Sequence, residues 1–230
     1  LVAGYKAACQ DARWVCDRFH EFHDLFDRRH QLERKAYAAI AKENEAAHTF
    51  HHAKSEANLH KRLQHYEHAH HACEQAMARY DQLDLLLHLL RDALHLCSSF
   101  GRLRTVEGVR SELTSLLSLI EEVDDAVLPK LLQPIRSHLD DILAPFEQAE
   151  SIHAELLHLL PQQILDALVL AWHHEHLSYQ SQAKHKRYHQ YENQQWLDFA
   201  EGLLDHQFEP LKVLVFAKLD SIIQASSLVE

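Results

Sequence analysis

The segment LHKRLQHYEHAHHACEQAMARYDQLDLLLHLLRDAL, residues 59–94, decides the fold class. One set of positions alternates spacings of four and three residues, which is the pattern of a coiled-coil seam. The seam consists of Leu59, Leu63, Tyr66, His70, Cys73, Met77, Tyr80, Asp84, Leu87, Arg91 and Leu94. Because His70, Asp84 and Arg91 are polar, the partner helix has to accommodate polar groups. A long α-helix is therefore predicted here.

The preceding residues carry a weaker stripe of the same kind, at Leu25, Leu32, Ala36, Ala39, Ile40, Ala46 and Phe50. No glycine occurs between Gly4 and Gly101, and the first proline is Pro129. A stretch without either helix breaker favours long helices. We predict two helices, about 18–53 and 56–98, folded as a long antiparallel coiled-coil-like hairpin with a turn near 55–58. One continuous helix, paired with a second chain, is the alternative, and both versions suggest a homodimer.

The remainder of the chain is predicted to form a helical bundle over residues 99–224. It contains a helix from about 107 to 126, a long one from about 162 to 190, and another at about 192–207. Four prolines are expected to separate shorter helices, namely Pro129, Pro134, Pro145 and Pro161. The run LKVLVFA, residues 211–217, is the most strand-like in this half. The predicted fold class is all-α.

Composition limits the alternatives further. Four glycines and five prolines in 230 residues argue against a β-sandwich, a barrel or a disordered chain. The net charge is −11, of which residues 105–170 carry −9, so nucleic acid cannot approach over the whole surface. No membrane span is predicted. The cysteines at 9, 16, 73 and 97 are scattered and indicate buried thiols in the reducing cytoplasm.

Two short motifs at the ends do not belong to the helical pattern. Residues 12–16 (ARWVC) resemble a strand that ends at Asp17, which would present a carboxylate at a sheet edge. Residues 225–230 (ASSLVE) end in Glu230, which could meet Asp17 at a divalent cation. The alternatives are ordinary: Asp17 as a helix N-cap and Ser227 with Glu230 as a capping box.

Together these ends resemble a known family. The text WVCDRFHEFHDLFDRRHQLERKAYAAI, residues 14–40, is similar to the segment around the second catalytic Asp of RNase H-like Asp-Asp-Glu transposases of bacterial insertion sequences. Those proteins often contain D-x-F-H followed by a long helix. ASSLVE resembles the start of the segment with their catalytic Glu. In several such families a large helical insertion separates the two.

The resemblance implies that Asp17 and Glu230 are catalytic ligands of Mg²⁺ or Mn²⁺, with His20 in a supporting position. Residues 1–17 would be a remnant of the RNase H-like core, and 225–230 the start of the Glu segment. The intact protein would cut and join transposon-end and target DNA by two-metal phosphoryl transfer in the bacterial cytoplasm, associated with the nucleoid when bound. The first catalytic Asp is expected upstream of a chain that begins with Leu1, so this chain is expected to be a fragment with little activity.

Basic residues form two small clusters with which such a protein would bind DNA phosphates. The first contains Arg28, Arg29, Arg34 and Lys35, and the second contains Lys184, Lys186 and Arg187. Solvated helix faces are the ordinary interpretation.

The 22 histidines support a rival hypothesis, a non-enzymatic helical scaffold that binds transition metals. Eight lie within 24 residues: His48, His51, His52, His60, His65, His68, His70 and His71. A second group, residues 173–176 (HHEH), does not match the zinc-protease motif.

Overall fold

The computed structural model describes residues 18–52, 56–98 and 102–222, which are almost entirely helical. The helices are α1 (Arg18–His51), α2 (Glu56–Ala93), α3 (Val106–Glu122), α4 (Leu128–Ser137), α5 (Leu139–Leu157), α6 (Gln162–Gln180), α7 (Ala183–Leu204) and α8 (Phe208–Asp220). A short 3-10 helix, Asp205–Gln207, precedes α8. The prediction of an all-α protein is confirmed, whereas the predicted strand at 12–16 lies outside the described residues.

Contacts divide the described chain into two compact units. The long-helix unit contains His20–Arg91 and Thr114–Arg136, so it holds most of α1 and α2, the second half of α3, and α4. The C-terminal unit contains Asp92–Leu113 and the chain from Ser137 onward. Each unit has its own apolar core.

The core of the long-helix unit contains many of the predicted apolar positions, but the buried face shifts by one residue towards the end of α2. Leu25, Leu32, Ala36 and Ala46 of α1 are buried, as are Cys73 and Leu87 of α2. Towards the end of α2, the buried residues are Leu83 and Leu90, at 0% and 1% exposure, and not Asp84 and Arg91. The 3.6-residue turn of an α-helix drifts against a strict heptad, and here the drift carries the two charged residues off the buried face.

Contacts between α1 and α2 pair early residues of one with late residues of the other. Arg29 Nε donates to Asp84 Oδ1, His70 Nδ1 lies 2.7 Å from Glu43 Oε1, and the rings of Phe50 and Tyr66 stack at 6.0 Å. The hydrogen bond that the ring donates to the Glu43 carboxylate raises the pKa of His70. Two polar seam positions, Asp84 and His70, thus have charged partners on α1.

In the C-terminal unit, helices α5, α6 and α8 supply most of the buried apolar side chains: Ile142, Leu143, Phe146, Ala149, Ile152, Leu156, Ile164, Leu165, Leu168, Val169, Trp172, Val215 and Leu219. α6 ends at Gln180, and the extended residues Ser181 (ψ 147°) and Gln182 (ψ 161°) lead into α7. The prediction of one helix over 162–190 is therefore wrong: two extended residues, neither of them glycine or proline, turn the chain back on itself.

The predicted separation of helices at two of the prolines is wrong. Pro134 and Pro145 lie within α4 and α5 and do not separate helices. Burial of Leu143 and Phe146 beside Pro145 holds that helix together despite the missing N–H donor. Residues 211–217 are helical in α8, where Pro210 lies in the first turn and its missing N–H leaves no intrahelical bond unmade.

None of the helices in the described ranges combines the length and apolar character needed to cross a membrane.

Candidate functional site

The residues expected to be catalytic lie at or beyond the two ends of the described part of the chain. Asp17 and Glu230 lie outside the described residues, and His20 is placed only as a member of the first turn of α1. Their proposed roles stay predictions.

Two residues of the first basic cluster are held in ion pairs within the long-helix unit. The Arg28 guanidinium binds both carboxylate oxygens of Asp125, with Nε 3.2 Å from Oδ1 and 3.1 Å from Oδ2. Arg29 binds Asp84, and its Nη2 lies 3.5 Å from the Tyr80 hydroxyl. The hydrogen bond to Asp84 raises the pKa of Arg29 further. These two cations are consequently largely neutralised by their own unit.

The other basic residues are more accessible. Arg34 and Lys35 are exposed on α1, where Arg34 Nε donates to the carbonyl of His30 at 3.3 Å. Lys184, Lys186 and Arg187 are exposed at the start of α7, and no carboxylate of the described residues pairs with them. Phosphate could reach this second cluster without displacing an internal partner.

The histidine-rich run of α1 and α2 does not converge on a metal geometry. The rings of His48 and His52 stack at 4.3 Å between centroids, and the Nδ1 of His52 lies 3.1 Å from the carbonyl oxygen of His48. The His70 ring already contacts the carboxylate of Glu43. Among the described side chains, no group of three or more His, Cys, Asp or Glu is placed to hold a metal ion.

A different pair of histidines meets between α6 and α7. His174 Nδ1 lies 3.0 Å from His189 Nδ1, and both rings are partly buried. The Tyr188 ring approaches His174 edge-on at 6.2 Å. Burial lowers the pKa of both histidines, and their mutual repulsion lowers that of His174 further, while Glu192 opposes the shift in each. Both imidazoles are therefore neutral at pH 7.

His173, the neighbour of His174 in α6, is more deeply buried in the C-terminal unit than the His174–His189 pair. Burial lowers its pKa to about 4, and the nearby His174, His95, His189 and His176 lower it in the same direction. A protonated imidazole is therefore strongly disfavoured here.

Beside the pair, α6 is joined to α8 through one carboxylate. The indole N–H of Trp172 donates to Asp220 Oδ1 at 2.7 Å, and His176 Nε2 lies 3.5 Å from the same oxygen. His176 Nδ1 is 3.0 Å from the carbonyl of Trp172. Because a carbonyl only accepts, this Nδ1 carries the proton.

The sequence contains a signal for the His174–His189 pair. In antiparallel neighbouring helices, residues equally far from the turn face each other, and 174 and 189 are equidistant from the break at Ser181–Gln182. The bond from Asn193 Nδ2 to the Ala171 carbonyl, 2.8 Å long, follows the same pairing to within one residue. With the break predicted near residue 190, His174 and His189 fall on one helix, and their contact is missed.

An open groove of about 440 Å³ follows α7 and is lined by Tyr191, Glu192, Gln195, Trp196 and Phe199. Its aromatic side chains are partly to well exposed.

Both described cysteines are chemically quiet. Cys73 and Cys97 are buried free thiols, and their pKa values are raised to about 11 and about 12. A hydrogen bond with Glu43 is the main cause for Cys73, and burial for Cys97. Neither is a reactive thiolate at neutral pH.

Comparison with known proteins found no family model, no curated protein and no solved structure that matches this chain.

Proposed function

We propose that this chain is the helical segment of an RNase H-like Asp-Asp-Glu transposase, lying between Asp17 and Glu230. The observation that carries the proposal is the helical content: the described residues between Arg18 and Asp220 are almost wholly helical. A large helical insertion between the two acids is what the sequence resemblance implies. The segment would act as an arm and a scaffold, with little catalysis of its own.

Within this proposal, α1 and α2 form a coiled-coil-like antiparallel hairpin. The contacts of Arg29 with Asp84 and of Glu43 with His70 support it, because the paired residues become closer in sequence towards the connection between the helices. Partly exposed apolar residues remain along α2, at Leu59, Met77 and Leu89, each 42% exposed. They supply a surface for a homodimer or for contact with transposon ends.

The metal chemistry belongs to the intact protein. The donor set of Asp17 and Glu230 suits Mg²⁺ or Mn²⁺, since these hard cations prefer carboxylate oxygens. When bound, the ions would supply the charge stabilisation for phosphoryl transfer on DNA. The proposed location is the bacterial cytoplasm, on the nucleoid when DNA is bound.

Phosphate contacts are proposed at Lys184, Lys186 and Arg187, because they are exposed and have no internal carboxylate partner among the described residues. Arg34 and Lys35 are secondary candidates. The ion pairs of Arg28 and Arg29 make these two weaker candidates, since DNA would have to displace Asp125 and Asp84.

The salt dependence of DNA binding tests this assignment. We expect K186Q/R187Q to weaken binding and to make the slope of log K against log salt shallower by about two, one for each lost phosphate contact. K42Q/K130Q is the matched control, because it removes two exposed lysines from the long-helix unit with the same change in net charge. Equal slopes for the two variants would contradict a DNA interface on α7.

The genomic flanks test the family assignment itself. The proposal expects an in-frame strand that ends in Asp upstream, an Asn- and Arg-containing helix after Glu230, and inverted repeats around the gene. Unrelated flanks would contradict it.

The second candidate is a non-enzymatic helical scaffold. It is favoured by the internal neutralisation of Arg28 and Arg29, which leaves fewer free cations for DNA in the long-helix unit. A scaffold predicts no DNA binding and no transposon flanks.

A further inference from the structure

The His174–His189 contact joins two helices through two nitrogen atoms that can each donate a lone pair. α6 and α7 run back against each other from the Ser181–Gln182 break, which brings the two Nδ1 atoms to 3.0 Å. Two neutral imidazoles at this distance share one hydrogen, so one Nδ1 carries a proton and the other accepts it. The arrangement is rigid at the backbone, because both residues lie within helices.

The distance is close to that of two ligands on one metal ion. Zn–N bonds of about 2.0–2.1 Å in a tetrahedral site place two ligand nitrogens roughly 3.4 Å apart. Opening the pair by about 0.4 Å, through small side-chain rotations, would admit an ion between the nitrogens.

The chemistry of imidazole also suits a metal. Each neutral ring has one nitrogen lone pair, so binding needs only a change of tautomer in one ring. The ring that carried its proton on Nδ1 moves it to Nε2 through solvent, and both Nδ1 lone pairs then face the ion. The carboxylate of Glu192, three residues after His189, acts electrostatically on both rings and adds a negative charge beside the site.

The other histidine pairs lack this combination. His48 lies near the end of α1 and His52 in the exposed turn just after it, and the Nδ1 of His52 already contacts a backbone carbonyl. His70 is held by Glu43. His173 is more deeply buried than His174 and lies next to it in the chain, where neighbouring helical side chains diverge.

We propose that Nδ1 of His174 and Nδ1 of His189 form a two-imidazole site for a divalent transition-metal ion of the zinc, nickel and copper class. Water completes the coordination, since no third ligand is in place among the described side chains. The ion would clasp α6 to α7. The site is independent of the transposase proposal, because Asp17 and Glu230 take no part in it.

Thermal unfolding with added Zn²⁺ tests the site, using H174N/H189N against H48N/H52N. Each variant removes two histidines, but only the first removes a pair that joins two helices. At about 100 times the dissociation constant, Zn²⁺ should raise the unfolding midpoint of the natural chain and of H48N/H52N by roughly 5–10 °C. H174N/H189N should show no such rise. Mg²⁺ should leave all three unchanged, because it prefers oxygen ligands.

An equal rise in the three proteins, or no rise in the natural chain, would overturn the proposal. If H174N/H189N fails to fold by circular dichroism, calorimetric titration of the single variants H174N and H189N replaces it. Each single variant should weaken the tightest Zn²⁺ binding by at least about tenfold. Zn²⁺ binding as tight as that of the natural chain in either variant would also overturn the site.

Discussion

At the scale of single residues, Trp172 shows how one polar atom fixes a buried aromatic ring. Its side chain is 2% exposed, yet its indole N–H reaches Asp220 on α8 at 2.7 Å. A buried indole usually needs such an acceptor, because an unpaired N–H in the interior is costly. Asp220 thereby links α8 to α6 within the C-terminal unit.

W172F should lower the free energy of unfolding by about 1–2 kcal/mol, since it keeps an aromatic ring in the core but removes the donor to a carboxylate. Urea unfolding followed by circular dichroism measures this. W196F is the control, because Trp196 is partly exposed and its indole nitrogen has no partner among the described residues; it should cost less than about 0.5 kcal/mol. Equal effects would contradict a role for the hydrogen bond.

His173 predicts a pH dependence of stability with a definite sign. Its pKa of about 4 in the folded chain lies below the ordinary value of 6.5, so the unfolded chain binds more protons between these values. The contribution is complete above pH 6.5 and is lost as the pH falls towards 4. His174 and His189, with lowered pKa values, act in the same direction, and Glu192 opposes them.

From these values, lowering the pH from 7.5 to 5 should reduce the free energy of unfolding by about 2 kcal/mol through His173 alone. Urea titrations at several pH values measure the slope. H173Q should flatten it, whereas H48Q, on an exposed part of α1, should not. A slope unchanged in H173Q would show that His173 is not kept neutral by burial.

At the scale of helices, two adjacent aspartates before α4 have different roles. Asp125 has a side chain that is 6% exposed and binds Arg28 through both oxygens, and its Oδ1 accepts the N–H of Val127 at 3.0 Å. Burial would raise the pKa of Asp125, but the hydrogen bonds from Arg28 and Val127 lower it below its ordinary value. Asp124 is 83% exposed and pairs with Arg79 at 2.6 Å.

D125N should therefore destabilise the chain by about 3–5 kcal/mol, because it leaves the partly buried Arg28 without a counter-ion. D124N removes the same charge one residue earlier and should cost less than about 1 kcal/mol, as is usual for exposed pairs. Chemical unfolding of the two variants under one condition gives the comparison. Similar losses would mean that the Arg28 pair does not anchor α1 to the segment before α4.

At the scale of the whole molecule, the homodimer proposal makes a measurable claim. Leu59 and Met77 are seam positions that the single chain leaves 42% exposed. We expect the natural chain to sediment as a dimer at tens of micromolar and L59E/M77E to sediment as a monomer. L119E/L159E, which places the same charges at exposed leucines outside α2, should stay dimeric. A monomeric natural chain would contradict self-association through α2.

The amino-acid sequence by itself determined the all-helical class and much of the core. Both follow from local properties, namely the absence of breakers between Gly4 and Gly101 and the spacing of apolar residues such as Leu25, Leu32 and Leu87. Such properties act over one or two turns of helix and can be read along the chain. The buried state of Cys73 and Cys97 was predicted from the scattered positions of the cysteines along the chain.

Only the tertiary structure decided which polar groups meet. Asp125 pairs with Arg28, which is 97 residues away in the sequence. His174 contacts His189 because the extended residues Ser181 and Gln182 end α6 and reverse the chain. Pro134 and Pro145 stay within helices, and residues 211–217 are helical in spite of their strand-like composition. Local propensities differ by only about 1 kcal/mol per residue, and burial against distant helices outweighs them.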